Sequence, residues 1–180
     1  MKHIEVEIRS FISKEEYERF LTFFRANAKF LTEDYQETYY FDCPQDVRIQ
    51  RNDHFSKIWM KKGKLHDDQR EEIEIKCDRG EFEKLEEIFT ALGFNVQIKW
   101  FRRRFEFFWN DCTVCLDDTR GYGYIIELEK MSLEDEQDKN LELLKKNLSL
   151  LKISQTTKEE FHQRFLHYKE HWKELVEEKI

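Results

Sequence analysis

A single proline, Pro44, and only five glycines among 180 residues leave this chain few points where the backbone must turn sharply. That scarcity excludes collagen-like and Pro-rich spacer sequences, and it leaves no glycine-rich loop of the kind that cradles phosphates in P-loop proteins. Long apolar runs are also missing: none approaches the ~20 residues needed to span a bilayer, and the opening residues lack the basic, apolar and small-residue sections of a secretory leader. A cytoplasmic protein with no membrane partner is expected. Cysteine is sparse too. Cys43, Cys77, Cys112 and Cys115 supply one C-x-x-C but no second pair or nearby histidine to complete a zinc site. Residues three apart on a strand point to opposite faces, so Cys112 and Cys115 are expected as ordinary packing thiols. No internal repeat, low-complexity tract or linker appears, and one domain over residues 1–180 is expected.

Charge and aromatic mass are abundant instead. Charged residues make up 38% of the chain against a usual quarter, yet 16 Phe, 7 Tyr and 4 Trp supply enough apolar bulk for a core. The charge must therefore be organised rather than a mark of disorder. A net charge of −7 argues against a general nucleic-acid or membrane-surface binder, although 31 Lys and Arg suffice to line a local pocket for an anion.

Alternation shows how that charge is arranged. In the stretch HIEVEIRSF, Glu5, Glu7 and Arg9 share one strand face while Ile4, Val6 and Ile8 take the other. The pattern returns in YIIELEK, where Glu127 and Glu129 lie opposite Ile126 and Leu128. Carboxylate pairs brought together from two strands repel unless a cation sits between them, and hard oxygen ligands suit Mg²⁺ or Mn²⁺.

Between these ends, Ser13 and Glu16 form a capping box for an amphipathic helix over residues 14–26. Strands are expected near 35–42, 47–51, 55–61 and 70–77, a second helix at 81–92 closed by Gly93, and further strands near 96–109, 113–118 and 123–130. From Ser132 the pattern becomes helical to about residue 178, with Ser132 and Asp135 opening one helix and Thr157 and Glu160 another. The last helix carries Phe161, Phe165, Tyr168, Trp172 and Leu175 in a stripe that packs on its own domain or pairs two chains, so a monomer or a homodimer is expected. The same alternation gives further ionic faces: Arg48 and Gln50; Lys57, Trp59 and Lys61; Arg70, Glu72, Glu74 and Lys76; Arg102, Arg104 and Glu106; and Asp117. A sheet wetted by solvent accepts Ser, Thr and Asn as readily as charge, whereas these strands select Arg, Lys and Glu. An α+β fold is expected, an antiparallel barrel or strongly curved sheet with surrounding helices, its ionic faces turned inward onto a polyanion.

These segments resemble the CYTH superfamily, the triphosphate tunnel metalloenzymes. Glu5-x-Glu7-x-Arg9 is similar to the opening ExExK signature and QETYYFD to the second strand. VRIQ is similar to LRIR, IWMK to LTLK, and Arg70-x-Glu72-x-Glu74 to RxExE. Arg102-x-Arg104-x-x-Phe107 is similar to KxRxxY, and LDDTRGYGYIIELE to the last two strands. The resemblance implies an eight-stranded antiparallel tunnel. It implies Glu5, Glu7, Asp117, Glu127 and Glu129 as ligands of Mg²⁺ or Mn²⁺, with Glu5, Glu7 and Arg9 at the chemistry. Arg9, Arg48, Lys61, Arg70, Arg102 and Arg104 become contacts to a triphosphate-containing small molecule, with Lys158 or Lys152 from the C-terminal segment, and Glu72 and Glu74 orient the basic groups or water. Three departures stand out. Lys99 does not share a strand face with Arg102 and Arg104, which leaves room for the sixth-strand match to slip by a residue or more. Arg9 replaces the signature lysine and is too basic to accept a proton. Gln50 replaces the second arginine of LRIR, leaving one cation fewer unless a bulge turns Arg51 inward. Three activities fit: metal-dependent triphosphate hydrolysis, conversion of ATP to cyclic AMP and pyrophosphate with Tyr39, Tyr40, Phe55 or Trp59 at a nucleoside pocket, and non-catalytic triphosphate or polyphosphate binding.

Overall fold

The computed structural model describes residues 4–62 and 69–177, with side chains throughout except at 69 and 70. Its elements are β1 (Ile4–Ile12), α1 (Lys14–Asn27), β2 (Lys29–Phe41), β3 (Asp46–Arg51), β4 (Phe55–Lys61), β5 (Gln69–Asp78), α2 (Phe82–Ala91), β6 (Val96–Trp109), β7 (Cys112–Thr119), β8 (Gly123–Ser132), α3 (Gln137–Leu150) and α4 (Lys158–Glu177). All strand pairs are antiparallel, and they close in the order β1-β5-β4-β3-β2-β6-β7-β8, with β8 returning to β1. The expected eight-stranded tunnel with surrounding helices is the fold.

The apolar core lies outside the barrel wall. Val6, Ile8 and Ile12 of β1, Phe105 and Phe107 of β6, Val114 and Leu116 of β7, and Ile126 and Leu128 of β8 are buried against Tyr17, Phe20 and Phe24 of α1 and Leu144 and Leu148 of α3. A smaller cluster seats α2 on β2 and β3 through Tyr39, Phe41, Ile49, Phe82 and Phe89. Strand alternation makes this possible: every side chain that feeds the outer core leaves its neighbours facing the axis. Hydrophobic burial therefore holds the wall from outside and frees the interior for ions.

Helix signals read from sequence hold at two positions. The Glu16 amide donates to Ser13 Oγ at 3.1 Å while the Ser13 amide donates to Glu16 Oε2 at 2.9 Å, completing the capping box. Thr157 Oγ1 accepts from the Glu160 amide at 3.2 Å at the start of α4. Two boundaries differ. β2 begins at Lys29 rather than 35 because a register shift between Phe30 and Thr32 breaks the alternation there. α3 begins at Gln137 because β8 continues to Ser132, which pairs with Ile4.

The stripe on α4 packs on its own domain. Phe161 and Tyr168 are buried, Tyr168 Oη donates to the Lys99 carbonyl at 2.9 Å, and Trp172 Nε1 donates to the Gln97 carbonyl at 3.0 Å. The turn between β7 and β8 accepts this helix because Gly121, at φ +73°, has no Cβ. A Cβ there would lie 2.8 Å from Leu175 Cβ.

Candidate active site

β1 and β8, which carry Glu5-x-Glu7 and Glu127-x-Glu129, are direct neighbours. Glu7 pairs with Glu129 and Arg9 with Glu127 across the ladder. Their inward faces line a cavity of about 300 Å³ together with Arg48, Lys57, Lys61, Glu72, Glu74, Arg102, Arg104 and Asp117. Carboxylates outnumber Arg and Lys among the described lining residues.

Two clusters organise the wall. In the first, Lys61 Nζ donates to Glu5 Oε2 at 2.9 Å and lies 2.6 Å from Glu72 Oε1 and 3.8 Å from Glu7 Oε2. Burial opposes the ammonium charge, but Glu7, Glu5 and Glu72 more than offset it and keep Lys61 protonated. Burial raises the Glu7 carboxyl above its ordinary value despite the pull of Lys61. In the second cluster, Arg104 forks onto Asp117, with Nε 2.8 Å from Oδ1 and Nη2 2.7 Å from Oδ2. Arg104 Nη2 also donates to Glu127, and Arg102 Nη1 reaches Asp117 Oδ2 at 3.1 Å. Burial works against ionised Glu127, yet Arg104, then Arg102, Arg9 and Lys61, bring its pKa down to about 2. Its neighbour Glu129 goes the other way: burial dominates, Arg104 only partly compensates, Glu5 and Glu127 add repulsion, and the pKa is pushed up to about 8.

Arg48 is locked by both oxygens of Asp46 at 2.7 and 2.8 Å and stacks over Tyr40. Glu74 accepts from Lys57 at 2.6 Å. Gln50 donates to Thr38 Oγ1 at 2.9 Å, and the neighbouring Gln36 Oε1 accepts from Arg102 Nε at 3.0 Å. The β3–β4 register runs unbroken from Asp46 to Arg51, so no bulge turns Arg51 inward. It pairs instead with Glu37 and Glu83 on the outer side.

Most of the residues expected at the site are thus gathered in one cavity: Glu5, Glu7, Arg9, Arg48, Lys61, Glu72, Glu74, Arg102, Arg104, Asp117, Glu127 and Glu129. Arg70 pairs with Glu5 in the β1–β5 ladder, and its side chain lies outside the described residues. Lys158 is exposed in the first turn of α4 and is absent from the lining. Asp117, expected beside a metal, has both oxygens engaged by guanidinium groups and acts as an anchor for Arg104 and Arg102. Of the aromatics expected at a nucleoside pocket, Tyr40 and Trp59 line the cavity, whereas Tyr39 is buried beneath α2. Sequence reasoning missed Trp100, Tyr122, Phe161 and Phe165, which wall the end covered by α4. Arg9 lies 4.7 Å from the Phe161 ring centroid there.

The donor set suits a divalent cation. Glu127 and Glu129 offer oxygens, and Cys115 a sulfur, with one atom from each all within 4.8 Å of one another, and Glu7 faces Glu129 across the ladder. Cys112 packs in the outer core as expected of a structural thiol, but Cys115 is on the ionic face.

The fold is a closed antiparallel tunnel whose interior is lined by carboxylates interleaved with Arg and Lys. The chain belongs to the CYTH domain family, whose model matches residues 3–166. Members of that family are enzymes, adenylate cyclases and triphosphatases among them, whose tunnels take triphosphates with metal ions. A Methanocaldococcus jannaschii protein provisionally named an adenylate cyclase is 33% identical over 139 residues, 70% of this chain and 77% of that protein. A conserved Pyrococcus furiosus protein of known structure shares 26% identity at a TM-score of 0.72, covering 83% of this chain and 91% of its own. A Hippeastrum protein described as having a dominant triphosphatase activity matches at a TM-score of 0.61 and 19% identity, over 87% of this chain and 92% of its own. Among the described residues no helix is long and apolar enough to cross a membrane.

Proposed function

We propose that this protein hydrolyses a triphosphate, inorganic or organic, with Mg²⁺ or Mn²⁺. The observation that carries the reading is the facing of Glu7 and Glu129 across one ladder while Arg48, Lys61, Arg102 and Arg104 line the same cavity. Glu5, Glu7, Glu127 and Glu129 are the residues that would hold the metal, and a bound ion supplies charge neutralisation and polarisation of phosphoryl oxygens. Arg48, Lys61, Arg102 and Arg104 take the non-bridging oxygens and stabilise charge developing on the bridging oxygen as the terminal phosphoryl group leaves. Each is held by a carboxylate before substrate arrives, so little reorganisation accompanies binding. Glu7 and Glu5 orient the attacking water. Arg9, stacked on Phe161, adds positive charge at the α4 end without accepting a proton.

One observation favours a second reading. Tyr40, Trp100, Tyr122, Phe161 and Phe165 form an aromatic wall that a nucleoside would occupy, as attack of the ribose hydroxyl on the α-phosphorus of ATP requires. Chromatography of the products from ATP and from inorganic triphosphate, each with Mg²⁺ or Mn²⁺, separates the cases. Orthophosphate release supports hydrolysis. Cyclic AMP with pyrophosphate replaces it by the cyclase, and tight binding with neither product leaves a triphosphate binder.

A further inference from the structure

We propose that Cys115 is a ligand in the metal site, a thiolate that gives the tunnel affinity for a thiophilic divalent cation such as Zn²⁺ or Co²⁺. The proposal rests on the reading of the β1–β8 carboxylates as a metal site and adds the identity of the ion to it.

β7 sorts its side chains by parity. Cys112, Val114 and Leu116 enter the apolar core outside the wall, while Cys115 and Asp117 stand on the opposite, ionic face. Cys115 is the register partner of Glu127 on one side and of Glu106 on the other, so carboxylate-bearing residues flank it on both neighbouring strands. Its sulfur and one oxygen each of Glu127 and Glu129 are mutually within 4.8 Å, close to twice the ~2.0–2.3 Å of zinc–ligand bonds, so one ion taking the place of the Arg104 guanidinium beside Glu127 would reach all three. The residue is fully buried and stands outside the cavity lining, so an ion would reach the thiol only past Glu127 and Glu129, which do line the cavity.

Donor chemistry then decides the ion. Oxygen ligands alone suit Mg²⁺ and Mn²⁺, and one thiolate shifts preference toward Co²⁺ and Zn²⁺, which already lie further along the order of divalent affinities. On coordination the S–H bond breaks, the electron pair stays on sulfur to form the metal bond, and the proton leaves to solvent. The tunnel is thus open to occupation by trace zinc in competition with magnesium.

The test uses the full chain carrying Cys43→Ser and Cys77→Ser, which removes the two half-buried thiols. Titration with Co²⁺ is expected to give a near-ultraviolet thiolate-to-cobalt charge-transfer band, and X-ray absorption of the Zn²⁺-loaded protein is expected to show one sulfur at about 2.3 Å. Adding Cys115→Ser abolishes the band and weakens Zn²⁺ binding by at least about tenfold, while Mn²⁺ affinity changes by less than about threefold. A zinc shell of oxygen and nitrogen alone, or a band that persists without Cys115, overturns the proposal. If the Cys115→Ser variant does not fold, the X-ray absorption result on the Cys115-containing protein decides. Saturable Mn²⁺ binding with no sulfur in the zinc shell removes the thiol alone, whereas absence of saturable binding by either ion removes the carboxylate site with it.

Discussion

Glu7 and Glu129 stand directly opposite each other in the β1–β8 ladder, two carboxylates paired where a stable sheet places opposite charges or apolar groups. The pairing costs stability in the metal-free protein once both are ionised, and a divalent cation removes that cost. At pH 9 without metal, Glu129→Gln is expected to raise the thermal midpoint by about 2–4 °C, the shift given by ~1 kcal/mol in a chain of this size. Added Mn²⁺ stabilises the wild type and leaves the variant nearly unmoved. Calorimetry with and without Mn²⁺ reads both effects, and a lower midpoint in Glu129→Gln opposes the account.

Proton linkage follows from the same residue. The Glu129 carboxyl titrates at about 8 in the folded chain against an ordinary 4.5, so its contribution to stability is full below 4.5 and is lost as pH rises through 8. Glu7 is raised in the same direction. Glu127, lowered to about 2, contributes stability above 4.5 that is lost as pH falls toward 2. Metal must displace the proton on Glu129, so Mn²⁺ affinity is expected to climb between pH 6 and 8 with release of about one proton per ion. Titration calorimetry in buffers of different ionisation enthalpy counts that proton, and a pH-independent affinity contradicts the assignment.

Asp117 anchors two cations at once, and its side chain is 1% exposed. Asp117→Asn leaves buried Arg104 and half-buried Arg102 with one carboxylate fewer, and breaking a buried ion pair costs about 3–5 kcal/mol. Denaturant unfolding is expected to show a loss of that size, and triphosphate affinity falls because the forks lose their orientation. Unchanged stability would mean that Glu127 alone holds Arg104.

Gln50 occupies the position of a missing cation, and the outward turn of Arg51 leaves it uncompensated. Gln50→Arg adds a donor on the Arg102 side of the cavity and is expected to tighten triphosphate binding about tenfold, the effect of ~1.4 kcal/mol, within the range of one charged hydrogen bond. Equilibrium binding in the presence of Mn²⁺ reports it, and weaker binding shows instead that the neutral Gln36–Thr38–Gln50 network is required.

The ion-lined interior was legible because alternation is a local signal. Glu5, Glu7, Arg9, Glu127 and Glu129 each declare a face through an apolar neighbour, and antiparallel pairing then brings those faces together. The start of β2 was hidden because the irregularity near Leu31 interrupts the period that identifies a strand. The aromatic wall was not legible either. Phe161 and Phe165 follow the same spacing as Tyr168 and Trp172, and only the docking of α4 decides which of them face the tunnel. Cys115 escaped for a related reason. Parity alone separates it from Cys112, and parity says which face a residue takes without saying which face is ionic.

Orthophosphate release from inorganic triphosphate by the wild-type chain, Glu5→Gln and Glu127→Gln, each with Mn²⁺ and each confirmed to unfold cooperatively, tests the central claim most directly. The wild type is expected to turn over, and both variants to lose at least about 100-fold in rate while remaining folded. A wild type no faster than buffer, or variants that keep the wild-type rate, would contradict it.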